Sequence, residues 1–388
     1  MDGTSKPLSI GFVAGESSGD QLGAALIQAL RARAPQLRCY GVAGPKMRAA
    51  GCEAWAESEE LAVMGLTEVL KHLPHLIRLR RRLVARFRSE RPHVFVGIDA
   101  PAFNLGLARQ LKAAGIRTVQ YVSPQVWAWR PGRVRKIASA CDLVLCLLPF
   151  ETDFYRDHGV QAQFVGHPLA DQIPLEVDRQ AARRTLGLES DATVIALLPG
   201  SRLVEVQRLG PDFVAAANWL ARQRPGLRFV APMASAKVRA LFERQLDAKG
   251  GAEIQLLDGQ AQSVLAAADV ALVASGTATL ETLLSRRPMV AAYRFGAATA
   301  FLLRKLGMVT VQHFSQPNLL VGRRLVPEFL QEQVTGEALG AALLGVLDDR
   351  AHQDELAREF RRIHETLRVG GAALAATAVL DLAQGVTA

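Results

Sequence analysis

The segment Val194–Arg202 has the sequence VIALLPGSR, and it decides the fold class. Its first five residues, Val194–Leu198, are an apolar run typical of a buried strand. Pro199 and Gly200 end that run, and apolar residues then recur at helical spacing over Glu205–Arg222. A buried strand that ends in a glycine turn and continues into a helix is the repeating unit of a parallel sheet.

The same alternation continues on both sides of this segment. Downstream, the predicted strands are Arg228–Ala231, Ile254–Leu257, Val270–Ala274 and Met289–Tyr293. Upstream, they are Ile10–Ala14, Arg38–Val42, His93–Ile98, Thr118–Val122, Leu143–Leu148 and Gln163–Val165. Helical patterns lie between most of them, for example Gln21–Arg33, Phe103–Ala113 and Thr277–Leu284. The sequence therefore predicts an α/β fold with two Rossmann-like, doubly wound parallel sheets, followed by C-terminal helices.

A polar, proline-containing stretch, 167–178, separates the two sets of strands and is predicted to be a linker. We expect a first domain over 1–170, a second over 171–365, and a C-terminal helix over 366–388. This last helix is expected to pack on the first domain or on a second subunit, and the second arrangement would make a homodimer. A cleft between two doubly wound domains is the expected place for a ligand.

Composition excludes several classes of protein. With 388 residues, 49% of them hydrophobic and 21% charged, the chain is not disordered as a whole. No window offers the ~20 apolar residues of a membrane-spanning helix, so none is expected. The four cysteines have no CxxC spacing, so we expect buried thiols and no metal site.

Most of the net charge of +9 lies in one segment, Lys71–Arg91, which has eight basic residues and one acid, Glu90. Apolar residues recur at helical spacing from Leu66 to Phe87, and Pro74 is expected to divide the segment into two helices or to begin the second. One interpretation is a core-facing helix with a solvated basic face. Another is a membrane-binding surface whose apolar contacts are Val63, Met64, Leu66, Val69, Leu70 and Leu73. Nucleic-acid binding ranks third, because no aromatic residues interleave with the basic ones.

Two predicted strand ends in the first half carry acidic residues, at the edge where parallel sheets bind ligands. The first is the glycine turn Gly15–Asp20, in which Asp20 or Ser18 is expected to cap the next helix, a role that does not explain Glu16. The second is Asp99, at the end of an apolar strand. Its carboxylate is either a helix cap or a general base.

Two strand ends in the second half suit a diphosphate. Ser201 and Arg202 combine a hydroxyl and backbone N–H donors with a guanidinium that binds phosphate oxygens in pairs. A second anion site is expected at the hydroxyl-rich start of the next helix, at Gly276, Thr277 and Thr279. Glu281 lies four residues after Thr277 and therefore on the same helix face, where it can reach a ribose diol.

Eight motifs follow one another along the chain: AGESSGD (Ala14–Asp20), VGIDAPAFN (Val96–Asn104), YVSPQVWAWR (Tyr121–Arg130), LLPFE (Leu147–Glu151), VGHPLAD (Val165–Asp171), LLPGSR (Leu197–Arg202), SGTATLE (Ser275–Glu281) and QPNLL (Gln316–Leu320). Together they closely resemble the lipid-A-disaccharide synthase family. The resemblance runs from about Ile10 to the C-terminal helices.

The resemblance implies a GT-B glycosyltransferase that needs no metal or organic cofactor. It would join the 2,3-diacylglucosamine unit of a UDP-sugar to 2,3-diacylglucosamine 1-phosphate (lipid X), with inversion, giving a β-1,6-linked disaccharide 1-phosphate and UDP. By motif, Asp99 would be the general base, Ser201 and Arg202 would bind the diphosphate, and Glu281 would bind the ribose. Asn318 would lie on the donor side. Residues near the reacting sugars, without an assigned role, would be Glu16, Ser17 and Asp20.

Because both substrates carry acyl chains and phosphate, the resemblance also favours the membrane-binding interpretation of Val63–Arg88. The enzyme would then be peripheral on the cytoplasmic face of the inner membrane. Another UDP-sugar enzyme, such as the cell-wall N-acetylglucosaminyltransferase or a non-hydrolysing epimerase, does not explain YVSPQVWAWR. A non-catalytic basic binding protein leaves Asp99, Arg202 and Glu281 unexplained.

Overall fold

The computed structural model describes residues 7–61, 66–129, 131–296 and 313–385. They divide into two α/β units. The first unit comprises Met1–Asp171 and Leu367–Ala388, and the second comprises Gln172–Thr366.

The first unit contains, among its described residues, a parallel seven-stranded sheet in the order β3-β2-β1-β4-β5-β6-β7. The strands are β1 (Ser9–Ala14), β2 (Arg38–Ala43), β3 (Cys52–Glu57), β4 (Val94–Ile98), β5 (Arg117–Tyr121), β6 (Leu143–Cys146) and β7 (Ala162–Phe164). The helices are α1 (Glu16–Arg33), α2 (Pro45–Ala49), α3 (Leu66–Glu90), α4 (Pro101–Lys112), α5 (Val126–Trp129), α6 (Val134–Ala138), α7 (Pro149–Arg156) and α8 (Pro168–Gln172). Apolar clusters on both faces of the sheet make this a doubly wound unit.

The second unit contains, in the part that is described, a parallel six-stranded sheet in the order β10-β9-β8-β11-β12-β13. The strands are β8 (Val194–Leu198), β9 (Arg228–Met233), β10 (Ile254–Asp258), β11 (Val270–Ala274), β12 (Met289–Tyr293) and β13 (Glu328–Leu330). The helices are α9 (Arg179–Thr185), α10 (Leu203–Gln223), α11 (Ala236–Lys249), α12 (Ala261–Ala267), α13 (Thr277–Leu284), α14 (Gln316–Val321), α15 (Gly336–Asp348) and α16 (Arg350–Leu367). Short 3-10 helices are Ser58–Leu61 and Pro131–Arg133 in the first unit and Gln331–Gln333 in the second. The predicted fold class is confirmed.

The last helix of the described residues is α17 (Gly371–Gln384), which packs in the core of the first unit together with α1. Its N-terminus is held by Asp171, whose carboxylate accepts the backbone N–H of Gly370 at 3.0 Å and of Gly371 at 2.8 Å. One stretch, 350–384, is long and apolar enough to span a membrane by length and composition alone, contrary to the sequence expectation. It comprises α16 and α17, and 44% of its most apolar window is buried in the protein.

Three local features differ from the predictions or confirm them. Strands β3 and β13 were not predicted, because both are partly exposed edge strands without a continuous apolar run. The division expected at Pro74 is wrong, since α3 runs through it. Packing of the later turns of α3 on the sheet, rather than the backbone preference at proline, sets this helix. The four cysteines are buried and unpaired, as expected.

Candidate active site

Asp99 lies directly after β4, beside the loop that follows β1. Ala14 and Ile98 are paired across these strands, so the residues after them are neighbours. A Cβ placed on Gly15 would lie 3.0 Å from the Cβ of Ala100, which shows how closely the two loops approach. The structure therefore brings Asp99 and the Gly15–Asp20 loop together at the carboxyl ends of two neighbouring strands.

The backbone at Asp99 is strained and tightly held. Asp99 and Ala100 have φ angles of +51° and +41°, left-handed conformations that cost a non-glycine residue roughly 1–3 kcal/mol each. The N–H of Asp99 donates to the carbonyl oxygen of Tyr121 at 2.9 Å. Its carbonyl oxygen accepts the side-chain amides of Asn104 at 2.9 Å and Gln120 at 3.1 Å.

The carboxylate of Asp99 is partly exposed and accepts no hydrogen bond from the described residues. Helix α4 begins after Ala100 without a side-chain cap, so the capping alternative for Asp99 is not what the structure has. The backbone is fixed while the acidic group stays available. That arrangement suits a general base, which needs a defined position and a free lone pair.

Asn104 and Gln120 support Asp99, and sequence reasoning missed both. They are buried amides, and each donates to more than one backbone carbonyl at the ends of β1, β4 and β5. Gly97 makes room for Asn104, since a Cβ there would lie 2.9 Å from the Asn104 Cβ. A polar amide at an otherwise apolar position is the signal that identifies such supports.

Asp20 has a structural role that differs from the predicted ones. It is 2% exposed, and its carboxylate accepts the backbone N–H groups of Gly44 (2.9 Å), Lys46 (2.9 Å) and Met47 (3.0 Å). It therefore caps α2, whereas α1 begins after Gly15 with no side-chain cap. The prediction that Asp20 or Ser18 caps the next helix is wrong, because the neighbouring strand β2 presents α2 to this carboxylate.

Glu16, in contrast, is exposed and has a left-handed backbone with φ of +60°. Strain at an exposed acidic residue of a ligand-binding edge favours a functional role. The side chain of Ser17 lies outside the described part of the structure.

The segment after β5 is held by a buried carboxyl group on α7. Glu151 is 3% exposed and accepts the indole N–H of Trp127 at 3.1 Å and the backbone N–H of Leu148 at 3.1 Å. Burial raises the pKa of Glu151 to about 7, although these donors oppose the shift. The Ser123 hydroxyl donates to the hydroxyl of Tyr155 at 3.1 Å in the same buried layer.

In the second unit, the loop after β8 already holds an internal carboxylate. Glu205 accepts the backbone N–H of Ser201 at 3.0 Å and of Arg202 at 3.3 Å. Gly200, with φ of +134°, makes room for it, since a Cβ there would lie 2.5 Å from the Glu205 Cβ. These are N–H groups that the sequence assigns to a diphosphate. The acidic residue at the third helical position was the missed signal.

Arg202 extends into solvent from the same loop. Its side chain is 59% exposed, and it meets Glu205 at 3.4 Å. A guanidinium carries five N–H donors, so most of them are available to an anion. An exposed arginine at the start of a helix can neutralise phosphate charge together with the helix dipole.

The loop after β11 divides its predicted residues between two roles. Thr279 is buried, and its hydroxyl donates to the Gly276 carbonyl at 2.8 Å and accepts the N–H of Gln316 at 3.2 Å. Thr277 and Gly276 are exposed at the start of α13. Burial raises the pKa of Glu281, and its carboxylate accepts no hydrogen bond from the described residues. Thr279 is therefore structural, while the exposed pair and Glu281 are available to a ligand.

Asn318 is a structural residue in α14. It is fully buried, its Oδ1 accepts the backbone N–H groups of Leu325 (2.7 Å) and Val326 (2.8 Å), and its Nδ2 donates to the Val326 carbonyl at 2.9 Å. A direct contact with a donor sugar, the simplest form of the prediction, is not what its side chain offers. Asn318 shapes the 322–326 turn instead.

Most of the predicted membrane-binding side chains lie outside the described part of the structure. Val63 and Met64 lie outside the described residues, as do the side chains of Leu66, Val69 and Leu70. Leu73 is described, and it is 43% exposed. From the middle of α3 onward the apolar residues are buried in the core: Leu79, Leu83, Val84 and Phe87. The apolar side of this half of the helix therefore faces the sheet, and membrane contact through Val63–Leu73 stays a prediction.

No three His, Cys, Asp or Glu side chains gather at a possible metal site within the described ranges.

Comparison with known proteins decides the family. A model of the lipid-A-disaccharide synthetase family matches residues 10–379. The chain belongs to this family. Lipid-A-disaccharide synthase of Pseudomonas aeruginosa (strain UCBPP-PA14) is 52% identical over 377 residues, which cover 97% of this chain and 98% of that protein. The resemblance carried by the eight motifs is confirmed.

Solved structures show the fold more widely. S. aureus MnaA, in a co-structure with UDP, has a TM-score of 0.67 at 12% identity and covers 98% of each chain. The calicheamicin glycosyltransferase CalG4 has a TM-score of 0.61 at 17% identity, covering 99% of this chain and 100% of that one. The lipid-A-disaccharide synthetase family member described here therefore has the GT-B fold. Identities this low carry the fold and not the activity.

Proposed function

We propose that this chain transfers the 2,3-diacylglucosamine unit of a UDP-sugar to the 6-hydroxyl of 2,3-diacylglucosamine 1-phosphate (lipid X). The products are a β-1,6-linked disaccharide 1-phosphate and UDP, with inversion at the anomeric carbon. As a member of its family the chain is a glycosyltransferase of lipid A biosynthesis. The observation that carries the proposal is the family match over residues 10–379, because it includes Asp99, Arg202 and Glu281.

Asp99 is the proposed general base. The 6-hydroxyl of the acceptor gives its proton to the Asp99 carboxylate while its oxygen bonds to the anomeric carbon of the donor. The bond from that carbon to the diphosphate breaks, and its electron pair leaves with UDP. Support comes from the rigid backbone at Asp99 and from a carboxylate that no described residue uses. A positioned base of this kind contributes roughly 10²–10⁴-fold to the rate.

Arg202 and the start of α13 are proposed to bind the diphosphate. The guanidinium and the exposed N-terminal residues Gly276 and Thr277 place positive charge where the leaving group gains negative charge. Glu205 occupies the backbone N–H groups of Ser201 and Arg202, so a phosphate oxygen must displace it there or bind through the arginine. Glu281 is the proposed partner of the ribose hydroxyls.

Peripheral membrane binding is the proposed way in which the enzyme meets its lipids. Leu73 is exposed on α3, and exposed arginines follow it at Arg78, Arg81 and Arg82. Each basic residue near an anionic surface contributes about 1 kcal/mol, an attraction that salt weakens.

Leu73→Glu is expected to reduce sedimentation with anionic vesicles. Leu203→Glu, at an equally exposed leucine of the second unit, is the matched control. Equal loss in both variants contradicts the proposal.

The direct experiment incubates the protein with UDP-2,3-diacylglucosamine and lipid X in detergent and follows both products by mass spectrometry. Formation of UDP and the disaccharide 1-phosphate is the expected result. Turnover of UDP-N-acetylglucosamine in place of the acylated donor would assign the chain to another UDP-sugar reaction.

A further inference from the structure

The segment Val122–Trp129, named here the aromatic segment, is connected to Asp99 through the two residues that precede it. The carbonyl of Tyr121, the residue before it, accepts the Asp99 N–H, and the Gln120 amide donates to the carbonyls of both Asp99 and Val122. Val122 has φ of +75°, which is a strained conformation for a β-branched residue. Because they share these hydrogen bonds, a shift of the aromatic segment is expected to move Asp99.

The side-chain anchor of this segment is the carboxyl group of Glu151. Its Oε1 accepts the Trp127 indole N–H and its Oε2 accepts the Leu148 N–H, both at 3.1 Å. Phe150 packs edge-on against the Trp127 ring, with centroids 4.9 Å apart. The hydrogen bond to the Glu151 carboxyl group therefore orients the Trp127 indole, and the Phe150 ring packs against it.

We propose that Glu151 is a positioning residue for the transfer reaction: its ionised carboxylate holds Trp127 and, through the aromatic segment, keeps Asp99 in its reactive position. The effect of Glu151 on catalysis rests on the proposed function, whereas its hydrogen bond to Trp127 is present in the protein without substrate. Glu151 does not contact the substrate in this proposal and acts through the aromatic segment.

The carboxyl group of Glu151 changes its charge near neutral pH. Its pKa is raised to about 7 by burial. The other titratable groups around it in the described residues are Cys146 on β6 and Tyr155 on α7, and burial raises the pKa of both, so they stay neutral. As the pH falls through about 7, Glu151 gains a proton, and one of the two oxygens that accept the Trp127 and Leu148 N–H groups becomes a hydroxyl, which accepts more weakly than a carboxylate oxygen. The hold on Trp127 then weakens.

The sign of the effect on stability follows from the same shift. A pKa raised on folding gives stability that is complete below the ordinary pKa of a glutamic acid and is lost as the pH rises through about 7. The carboxylate form is therefore the less stable one and, by the proposal, the active one.

The test compares Glu151→Gln, Glu151→Ala and Asp153→Asn, an exposed carboxyl on the same helix, as control. In the protein without substrate, the fluorescence of Trp127, obtained by subtracting a Trp127→Phe variant, is expected to change with a midpoint near pH 7. The change is expected to persist in Asp153→Asn and to vanish in Glu151→Gln. Its absence from the unsubstituted protein, or its persistence in Glu151→Gln, overturns the proposal.

Turnover of the acylated substrates supplies the second readout. Glu151→Ala is expected to lower kcat by about 10–100-fold, with KM changed less than threefold, because misplacing a reacting group by 1 Å can cost 10²-fold. Glu151→Gln, a neutral side chain that resembles the protonated carboxyl group, is expected to show at pH 8 the lowered kcat that the unsubstituted protein shows below pH 7, and to lose the acidic limb of the pH profile. Unchanged kcat in Glu151→Ala contradicts the positioning role. A fluorescence transition without any turnover by the unsubstituted protein means that the proposed function has failed while Glu151 still holds Trp127.

Discussion

The loop after β4 and the loop after β8 begin in the same way and end with opposite chemistry. Each follows the central part of a parallel sheet and leads into a helix. At Asp99, side-chain amides hold the backbone and leave the carboxylate available. At Arg202, the Glu205 carboxylate holds the backbone, and the guanidinium extends outward. The two loops therefore differ in the group that supports them and in the charge of the side chain that each leaves available.

By the proposed function, these two strand ends serve different steps of the transfer. Neutral amides hold the loop at Asp99 without occupying its carboxylate, which leaves that group available as a proton acceptor. A carboxylate under the second loop satisfies N–H groups at the start of α10, and the arginine supplies the positive charge that a diphosphate requires.

The largest expected effect is at Asp99. Asp99→Asn keeps the size of the side chain and removes the proton acceptor, so kcat with the acylated substrates is expected to fall by about 10²–10⁴-fold. The measurement is UDP release in steady state, with Asp153→Asn as a control. A loss of less than threefold would show that the reaction does not use this carboxylate as its base.

Asp20, in the neighbouring loop, differs from Asp99 because its carboxylate is occupied by hydrogen bonds within the protein. Asp20→Ala leaves three backbone N–H groups without an acceptor, which is expected to destabilise the first unit by about 2–4 kcal/mol. Urea unfolding measures this loss, and Asp20→Asn, which retains an acceptor oxygen, should lose less. If Asp20→Ala unfolds normally but no longer turns over substrate, the residue is catalytic and our assignment is wrong.

The next largest effect is expected at Arg202, the side chain that the loop after β8 leaves available. Arg202→Ala is expected to weaken UDP binding by about 10–100-fold, the range of one charged hydrogen-bonding group. Isothermal titration with UDP measures the effect. Arg224→Ala, which removes another exposed, ion-paired arginine, is the control and should change Kd less than twofold. Equal effects of the two substitutions would remove Arg202 from the diphosphate site.

The smallest expected effect is at Glu205. Glu205→Gln keeps an acceptor for the loop and removes a negative charge beside the proposed diphosphate, so UDP is expected to bind about 5-fold more tightly. Glu189→Gln, at an exposed acid elsewhere in the unit, is the control. Weaker UDP binding by Glu205→Gln would mean that its charge supports the site instead of competing with the ligand.

The sequence predicts the strand ends well, because a buried parallel strand is an apolar run that stops at a turn. Asp99, Arg202 and Glu281 could be chosen from the sequence for this reason. The residues whose side chains hold the backbone of these loops could not be predicted in this way. Asp20 caps α2 only because β2 lies beside β1, and strand order is a tertiary property.

Local patterns also failed where the rest of the protein outweighs them. Pro74 is a helix breaker in sequence, but α3 passes through it and its later apolar residues pack on the sheet. Asn318 has the polarity of a ligand contact, yet its amide is used by the 325–326 backbone. Polarity identifies a residue that needs a partner, and only the fold shows whether that partner is the protein or a ligand.

The most direct test of the account measures UDP affinity and turnover for Asp99→Asn and Arg202→Ala side by side. We predict that Asp99→Asn binds UDP within twofold of the unsubstituted protein while its turnover falls at least 100-fold, and that Arg202→Ala binds UDP at least 10-fold more weakly. If Asp99→Asn instead loses UDP affinity as strongly as Arg202→Ala does, the division of base and diphosphate site between the two loops is contradicted.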